Sequence, residues 1–286
     1  MRAAVTRRFT LPVGEGAILQ AQEYLPRGPV DPTLPTVVLA HGWTLTRDAW
    51  LPVIDALLRD HPVRVIAYDQ RGHGESTMGR PEQASVRLLG EDLHALIETL
   101  VPSGSVVLGG HSMGGMTIMA YAGAHHPEFV SRVRGVTLVG TAASVQGRTP
   151  VPLESFVMGV ASRAPGIAPH FLVPTRVQGP MLFGKGADPA DVRTAVAMIQ
   201  RTKMPTIGKF FHAIGDHDEI ESLAHFVDVP TDILVGSKDR LTPVKWARML
   251  QESISGSTLT VLPELGHMLT YEATDDVAAS LARHLT

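Results

Sequence analysis

Residues 105–116 read Ser105-Val106-Val107-Leu108-Gly109-Gly110-His111-Ser112-Met113-Gly114-Gly115-Met116, and this stretch decides the fold. Its first half is a short apolar run rich in β-branched residues, the pattern of a buried strand over Ser105–Gly109. From Met113 to His125 the pattern is helical, and it stops near Pro127. Between the two, Gly110–Gly114 fits G-x-S-x-G, which occurs once in the chain. A strand that turns at once into a helix forces Ser112 into strained backbone angles, and glycines at 110 and 114 leave room where a Cβ would clash. The hydroxyl then stands at the C-terminal end of the strand, beside a helix N-terminus whose dipole favours a developing oxyanion. A phosphate cradle is the competing reading, but no G-x-x-x-x-G-K-[ST] or G-x-G-x-x-G is present here.

Outward from this turn, short strands alternate with helical patterns, the mark of a parallel sheet covered by helices. Residues 7–25 read as two strands around Gly14-Glu15-Gly16. Pro35–His41 and Val63–Asp69 read as buried strands, with a helix over Arg47–Arg59 between them and another over Ser85–Leu100. Arg134–Gly140 completes the first run of strands. The alternation resumes with a strand at Thr231–Gly236, a helix at Pro243–Ser253, a strand at Thr258–Leu262 and a closing helix at Asp275–His284.

Residues 144–222 break the pattern. They hold no convincing buried strand, scattered prolines and short helical patterns, clearest at Ala190–Gln200. They also hold five of the eight Phe (Phe156, Phe171, Phe183, Phe210, Phe211). A polar linker does not concentrate such residues, so the segment reads as an inserted helical lid with an apolar inner face, and the five Phe are candidate pocket residues. The expected organisation is a core of residues 1–143 and 223–286 interrupted by the insertion 144–222.

A serine hydroxyl needs a base. His267, in Leu265-Gly266-His267-Met268, sits in a loop after the last strand, at the sheet edge where Ser112 also lies. His41 and His111 flank the site and are expected to shape the pocket. The base in turn needs an acid to fix its tautomer. Asp239 follows the strand 231–236 at the same edge, whereas Asp228 and Asp232 lie at the strand's opposite end. Two backbone N–H groups can form an oxyanion hole: Met113, directly after the nucleophile, and Trp43, after Gly42 permits a sharp turn. Asp216-His217-Asp218 lacks the spacing of a metal motif and reads as a solvated loop. His125 and His126 are expected to face solvent at a helix end, and His212 stands near the lid.

Composition narrows the chemistry further. The 286 residues contain no Cys, which excludes disulfides, a thiol nucleophile and Cys-ligated metal. Net charge is −3, with no long run of one sign, so nucleic acid is not an expected partner. The longest apolar runs are of strand length, so no integral membrane segment is expected. Met1–Thr10 is basic but is not followed by an apolar stretch and cleavage site, so a cytoplasmic location is expected.

Taken in order, His41-Gly42-Trp43, Asp69-Gln70-Arg71-Gly72-His73-Gly74, Gly110-His111-Ser112-Met113-Gly114-Gly115, Gly236-Ser237-Lys238-Asp239 and Gly266-His267 resemble the α/β-hydrolase superfamily. The resemblance implies an α/β fold: an eight-stranded, mostly parallel sheet flanked by helices, with a helical cap inserted at 144–222. It also implies that Asp69–Gly74 is a structural turn. Trp43 departs from the glycine-rich segment of HGGG-type lipases. The expected activity is serine hydrolysis of a carboxylic ester with an apolar acyl or alcohol part, by Ser112, His267 and Asp239, with a small-molecule ester as partner and no cofactor or metal. C–C bond hydrolysis and cofactor-free perhydrolysis or haloperoxidation use the same three residues and stay open. A ligand-binding protein without turnover is a further alternative, against which the intact set of three residues argues.

Overall fold

In a computed structural model, the structure describes residues 4–80, 84–146, 154–167 and 175–286. The chain opens with strands β1 (Ala4–Val13) and β2 (Ala17–Leu25), joined by a tight turn, then β3 (Thr36–Ala40), helix α1 (Leu51–Asp60) and β4 (Val65–Asp69). Helix α2 (Val86–Leu100) leads to β5 (Val106–His111), α3 (Met113–Ala124), α4 (His126–Arg132) and β6 (Val133–Val139). Four helices follow before the next strand: α5 (Glu154–Ser162), α6 (Thr175–Leu182), α7 (Pro189–Arg201) and α8 (Met204–Gly215). The chain closes with β7 (Thr231–Gly236), α9 (Val244–Ser253), β8 (Thr258–Leu262), α10 (Leu269–Glu272) and α11 (Thr274–Arg283).

The eight strands form one sheet in the order β1-β2-β4-β3-β5-β6-β7-β8. All neighbours from β4 to β8 pair in parallel; β2 pairs antiparallel with both β1 and β4, so β2 alone runs against the other strands. The central strands are apolar throughout because helices cover both faces. On one face α2, α3 and α9 supply Leu93, Ile97, Ile118 and Trp246 to the core. On the other, α1 and α11 supply Ile54, Leu57, Val277 and Leu281. In β2, buried and half-exposed residues alternate, as expected near a sheet edge.

Two helical expectations need adjustment. The helix read at Arg47–Arg59 is a 3-10 turn over Arg47–Trp50 followed by α1. Pro52 has no N–H to give the Asp48 carbonyl, which takes that of Leu51 instead and tightens the turn. At Pro127 the helix does stop, but the proline also opens a new one. It sits in the first turn of α4, where a missing N–H costs nothing.

The segment between β6 and β7 is closed at its neck by an antiparallel bridge between Ser144 and Asp218, next to a Glu219 N–H to Ala143 carbonyl bond of 2.9 Å. Its described residues inside this neck form helices and turns without a strand. It is seated on the core by Thr202 Oγ1, which donates to the Thr44 carbonyl (2.9 Å), and Thr206 Oγ1, which donates to the Gly72 carbonyl (3.0 Å). No described helix is long and apolar enough to cross a membrane.

The turn after β4 is held by two buried ion pairs. Asp69 pairs with Arg47 and accepts the Arg47 and Glu75 N–H groups at 2.8 Å each. Arg71, fully buried, meets Asp92 of α2 through two bonds of 2.8 and 2.5 Å and reaches the Gly14 carbonyl at 2.9 Å. Removing one partner of such a pair strands the other charge in the interior. Asp92→Ala is therefore expected to lower unfolding free energy by about 3–5 kcal/mol, read from the urea midpoint at unchanged slope. A loss below about 1 kcal/mol, the range of an exposed pair, would show that Arg71 is not held by this contact.

Candidate active site

The turn from β5 to α3 carries the serine. Ser112 has φ 53° and ψ −119°, a rare combination for a residue with a side chain. Its N–H donates to the Val139 carbonyl (2.9 Å), and its own carbonyl accepts from Thr141 Oγ1 (2.7 Å). At Gly114 an added Cβ would overlap the Ala40 carbonyl, so only glycine lets α3 start this close to β3.

His267 lies in the loop after β8, and Asp239 in the loop after β7. Parallel strands bring both loops to the edge where β5 ends. His267 Nδ1 is 2.8 Å from Asp239 Oδ2. The carboxylate also accepts the N–H groups of Leu241 and Thr242 at 2.8 Å each and the Thr242 hydroxyl at 2.7 Å. Burial opposes its charge, but the adjoining His267 ring and the Thr242 bonds outweigh this and hold Asp239 below the ordinary carboxylate value. An ionised Asp239 fixes the proton on Nδ1 and leaves Nε2 as the basic nitrogen. Gly140, at φ 53°, keeps the pair unobstructed: a Cβ there would stand 3.3 Å from both His267 Nδ1 and Asp239 Oδ2.

Ser112 and His267 line one cavity of about 410 Å³. No hydrogen bond joins Ser112 Oγ to His267, as is common before a substrate is bound. Met113, the first residue of α3, has no acceptor within its helix, and the Trp43 N–H has no partner among the described residues. Thr44, next to Trp43, also has a positive φ of 63°. The Met113 N–H thus directly follows one strained residue, Ser112, and the Trp43 N–H directly precedes another, Thr44.

The rest of the cavity wall is mainly aliphatic and thioether, with Leu45, Met158, Leu182, Ile199, Met204 and Met268 among others; among the described residues Trp43 is its one Phe, Tyr or Trp, Gln178, Gln200 and Thr44 are polar points, and no Asp, Glu, Lys or Arg lines it. The phenylalanines lie elsewhere. Phe210 is fully buried against Leu89, Met113 and the His73 ring (5.0 Å). Phe183 packs with Leu45 and Met268, and Phe211 lies 6.2 Å from the Trp43 ring. None of the three lines the cavity. The Phe156 side chain and all of Phe171 lie outside the described residues. His111 does line the cavity, whereas His41 does not. His212 stays outside it, with its ring 5.5 Å from that of Phe211.

Comparison with known proteins bears on this architecture. The family model described as "Alpha/beta hydrolase family" matches residues 37–280. The chain belongs to the alpha/beta hydrolase family. It is 28% identical over 261 residues to a monoacylglycerol lipase of Mycolicibacterium smegmatis, covering 87% of this chain and 88% of that one. It is 29% identical over 250 residues to the dihydrolipoyllysine-residue acetyltransferase component of an acetoin cleaving system of Pseudomonas putida. That match covers 84% of this chain but spans only 60% of the length of that relative. Among solved structures, an enol-lactonase from Burkholderia xenovorans superposes with a TM-score of 0.79 at 24% identity, covering 97% and 99% of the two chains. At that identity the likeness concerns the fold.

Several residues of this alpha/beta hydrolase at the site carried little signal in the sequence. Thr242 bonds Asp239 and lies 3.2 Å from His267 Nδ1. Its offset of three from an acid in a strand-end loop is the only clue. Thr141 gave none, since its contact with Ser112 crosses between strands. The His217 ring, expected in a solvated loop, is buried with Nε2 unpartnered, and burial pushes it down to about 4. His125 is half-buried rather than solvated, stacked on His94 at 3.8 Å and bonded to Glu91 at 3.0 Å.

Three more histidines are buried and uncharged around the turn. Burial pushes His41 down to about 4, and His73 and His111 down to about 3. In the unfolded chain each takes up a proton near its ordinary value of 6.5, but in the native state only at the lower value. Each therefore lowers stability as pH falls from about 6.5 towards 4, by up to about 1.4 kcal/mol per pH unit, and adds no slope above 6.5. His73→Gln is expected to flatten the fall of the urea midpoint between pH 6.5 and 4.5 relative to the unaltered chain. Superimposable pH profiles would mean that His73 does not stay neutral in the fold.

Proposed function

We propose that this alpha/beta hydrolase cleaves carboxylic esters with an apolar acyl or alcohol part, using Ser112 as nucleophile, His267 as base and Asp239 as the acid that orients it. The observation that carries the proposal is the meeting of a strained Ser112 with the Asp239-bound His267 in one uncharged, mainly aliphatic cavity. Such a wall favours apolar groups and offers no ion to a charged substrate. The similarity to a monoacylglycerol lipase points the same way.

In the proposed reaction Ser112 Oγ attacks the ester carbonyl while its proton passes to His267 Nε2. The tetrahedral oxyanion is held by the Met113 and Trp43 N–H groups. His267 returns the proton to the departing alkoxide, which leaves an acyl-enzyme. Water then gives a proton to His267 and attacks the acyl carbon, and His267 passes that proton to Ser112 Oγ as the acid departs, restoring the free serine. The insertion at 144–222 acts as a cap that keeps bulk water from the acyl group.

A fluorophosphonate probe is expected to label the chain at Ser112, and Ser112→Ala to abolish both labelling and ester turnover. Labelling that persists in Ser112→Ala would reject the nucleophile. In a series of p-nitrophenyl esters, kcat/KM is expected to rise from acetyl to longer acyl groups, and a flat series would reject the apolar substrate class. Thr242→Val removes one bond to a charged carboxylate and is expected to slow Ser112 labelling about 10- to 100-fold. An unchanged labelling rate, with an unchanged thermal midpoint, would remove Thr242 from the site.

A further inference from the structure

A second cavity lies on the other side of α6. Gln178, Met181 and Leu182 of this stretch line the cavity that holds Ser112, while Gly179, Pro180 and the following Phe183 line a cleft of about 900 Å³. The two spaces share no lining residue. The cleft is bounded by the start of α7 and by the loop after β7, so it backs onto Asp239.

Its charge differs sharply from that of the first cavity. Lys185 and Arg193 reach it from the insertion, and Lys238 and Arg240 from the β7 loop. Of its two carboxylates, Asp239 is engaged by His267 and Thr242, and Glu264 pairs with Lys238 at 3.1 Å. Lys185, Arg193 and Arg240 have no ion-pair partner among the described residues. Three uncommitted cations around one cleft are unexpected in a chain of net charge −3. Between them the wall is apolar, from Pro180, Phe183, Pro189 and Val192. Cations at the rim of an apolar wall match an oxyanion attached to an apolar chain, which satisfies both surfaces at once. All three are exposed to solvent, so a neutral or cationic ligand would gain nothing from them, whereas an anion would.

We propose that this cleft is a second ligand site, separate from the Ser112 cavity, that binds an oxyanion carried on an apolar chain. The head group can be a carboxylate or a phosphate, since both offer oxygens to Arg and Lys. The site stands whether or not Ser112 proves to be a nucleophile, because Lys185, Arg193, Arg240 and the apolar wall take no part in the reaction; Asp239 alone borders both.

The test is calorimetric titration of the folded chain with octyl phosphate, octanoate and octanol. One amphiphilic anion is expected to bind in saturable fashion, with an affinity that falls as salt rises. The tighter of the two anions identifies the head group. In Lys185→Ala/Arg193→Ala/Arg240→Ala its dissociation constant is expected to rise roughly tenfold or more, while octanol, which can enter the uncharged cavity, binds as before. If the triple variant does not fold, Arg240→Ala alone is read for a smaller rise in the same direction. Equal affinity in variant and unaltered chain would overturn the proposal, because it would place the anion in the Ser112 cavity. Absence of saturable binding by both anions would overturn it as well.

Discussion

At Ser112 the backbone is held at φ 53° and ψ −119°, in a region that costs a residue with a side chain about 1–3 kcal/mol. The surroundings leave it no alternative. Its N–H is taken by β6, its carbonyl by the Thr141 hydroxyl, and α3 presses against the end of β3 at Gly114. These contacts exist only because β5 lies between β3 and β6 in a parallel sheet. The same parallel order sends the loops after β7 and β8 to the edge where β5 ends, which is how residues as far apart in sequence as 112, 239 and 267 meet. The strain and the topology are thus one constraint: a sheet with another strand order would neither hold Ser112 in this conformation nor bring His267 and Asp239 to the same edge.

Much of this could be read from the chain because buried parallel strands and tight turns leave strong marks. Runs such as Val37-Val38-Leu39-Ala40 have no polar alternation to confuse them, and Gly110–Gly114 is a turn that few other residues can make. The position of the phenylalanines could not be read. Their number in 144–222 signals burial, but composition does not say against which surface. Phe210 and Phe183 fill the joint between the inserted helices and the core, where bulky rings exclude water, and the apolar wall of the cavity falls mainly to Met, Leu and Ile beside Trp43. The hydroxyls of Thr141 and Thr242 were hidden for a related reason. Each acts across a strand or loop boundary, and a threonine in such a place has no distinguishing neighbour in sequence.

The inserted helices are also joined to the histidine loop itself. The N–H groups of His267 and Met268 donate to the Leu182 carbonyl at 2.7 and 3.2 Å, and the Glu272 carboxylate accepts from Gly184 (2.6 Å) and Gly266 (3.1 Å). The C-terminal end of α6 therefore helps to set the backbone of His267. A helix that lines one cavity, borders a cationic cleft and holds the histidine loop connects three features that the sequence treats as separate.

The neutral histidines around the turn matter for the charge that the proposed reaction creates. When His267 takes the serine proton it becomes a cation, and the His111 ring stands only 4.8 Å from it. A second cation at that distance would oppose it by about 3 kcal/mol at an effective dielectric of 20. Burial removes the conflict by pushing His111 down to about 3. The His111 Nε2 lies 2.9 Å from the His267 carbonyl, an acceptor, so the ring's one proton sits there and Nδ1 is left bare and unpartnered. His41 follows the same logic in the opposite tautomer: its Nε2 accepts the Gln70 N–H, so its Nδ1 donates to the Gly42 carbonyl. Asp239 is meanwhile kept ionised on the far side of the His267 ring. The imidazolium thus forms between one fixed negative charge and neighbours that burial prevents from becoming positive, and the cost of keeping those neighbours neutral is borne by the stability of the fold at low pH.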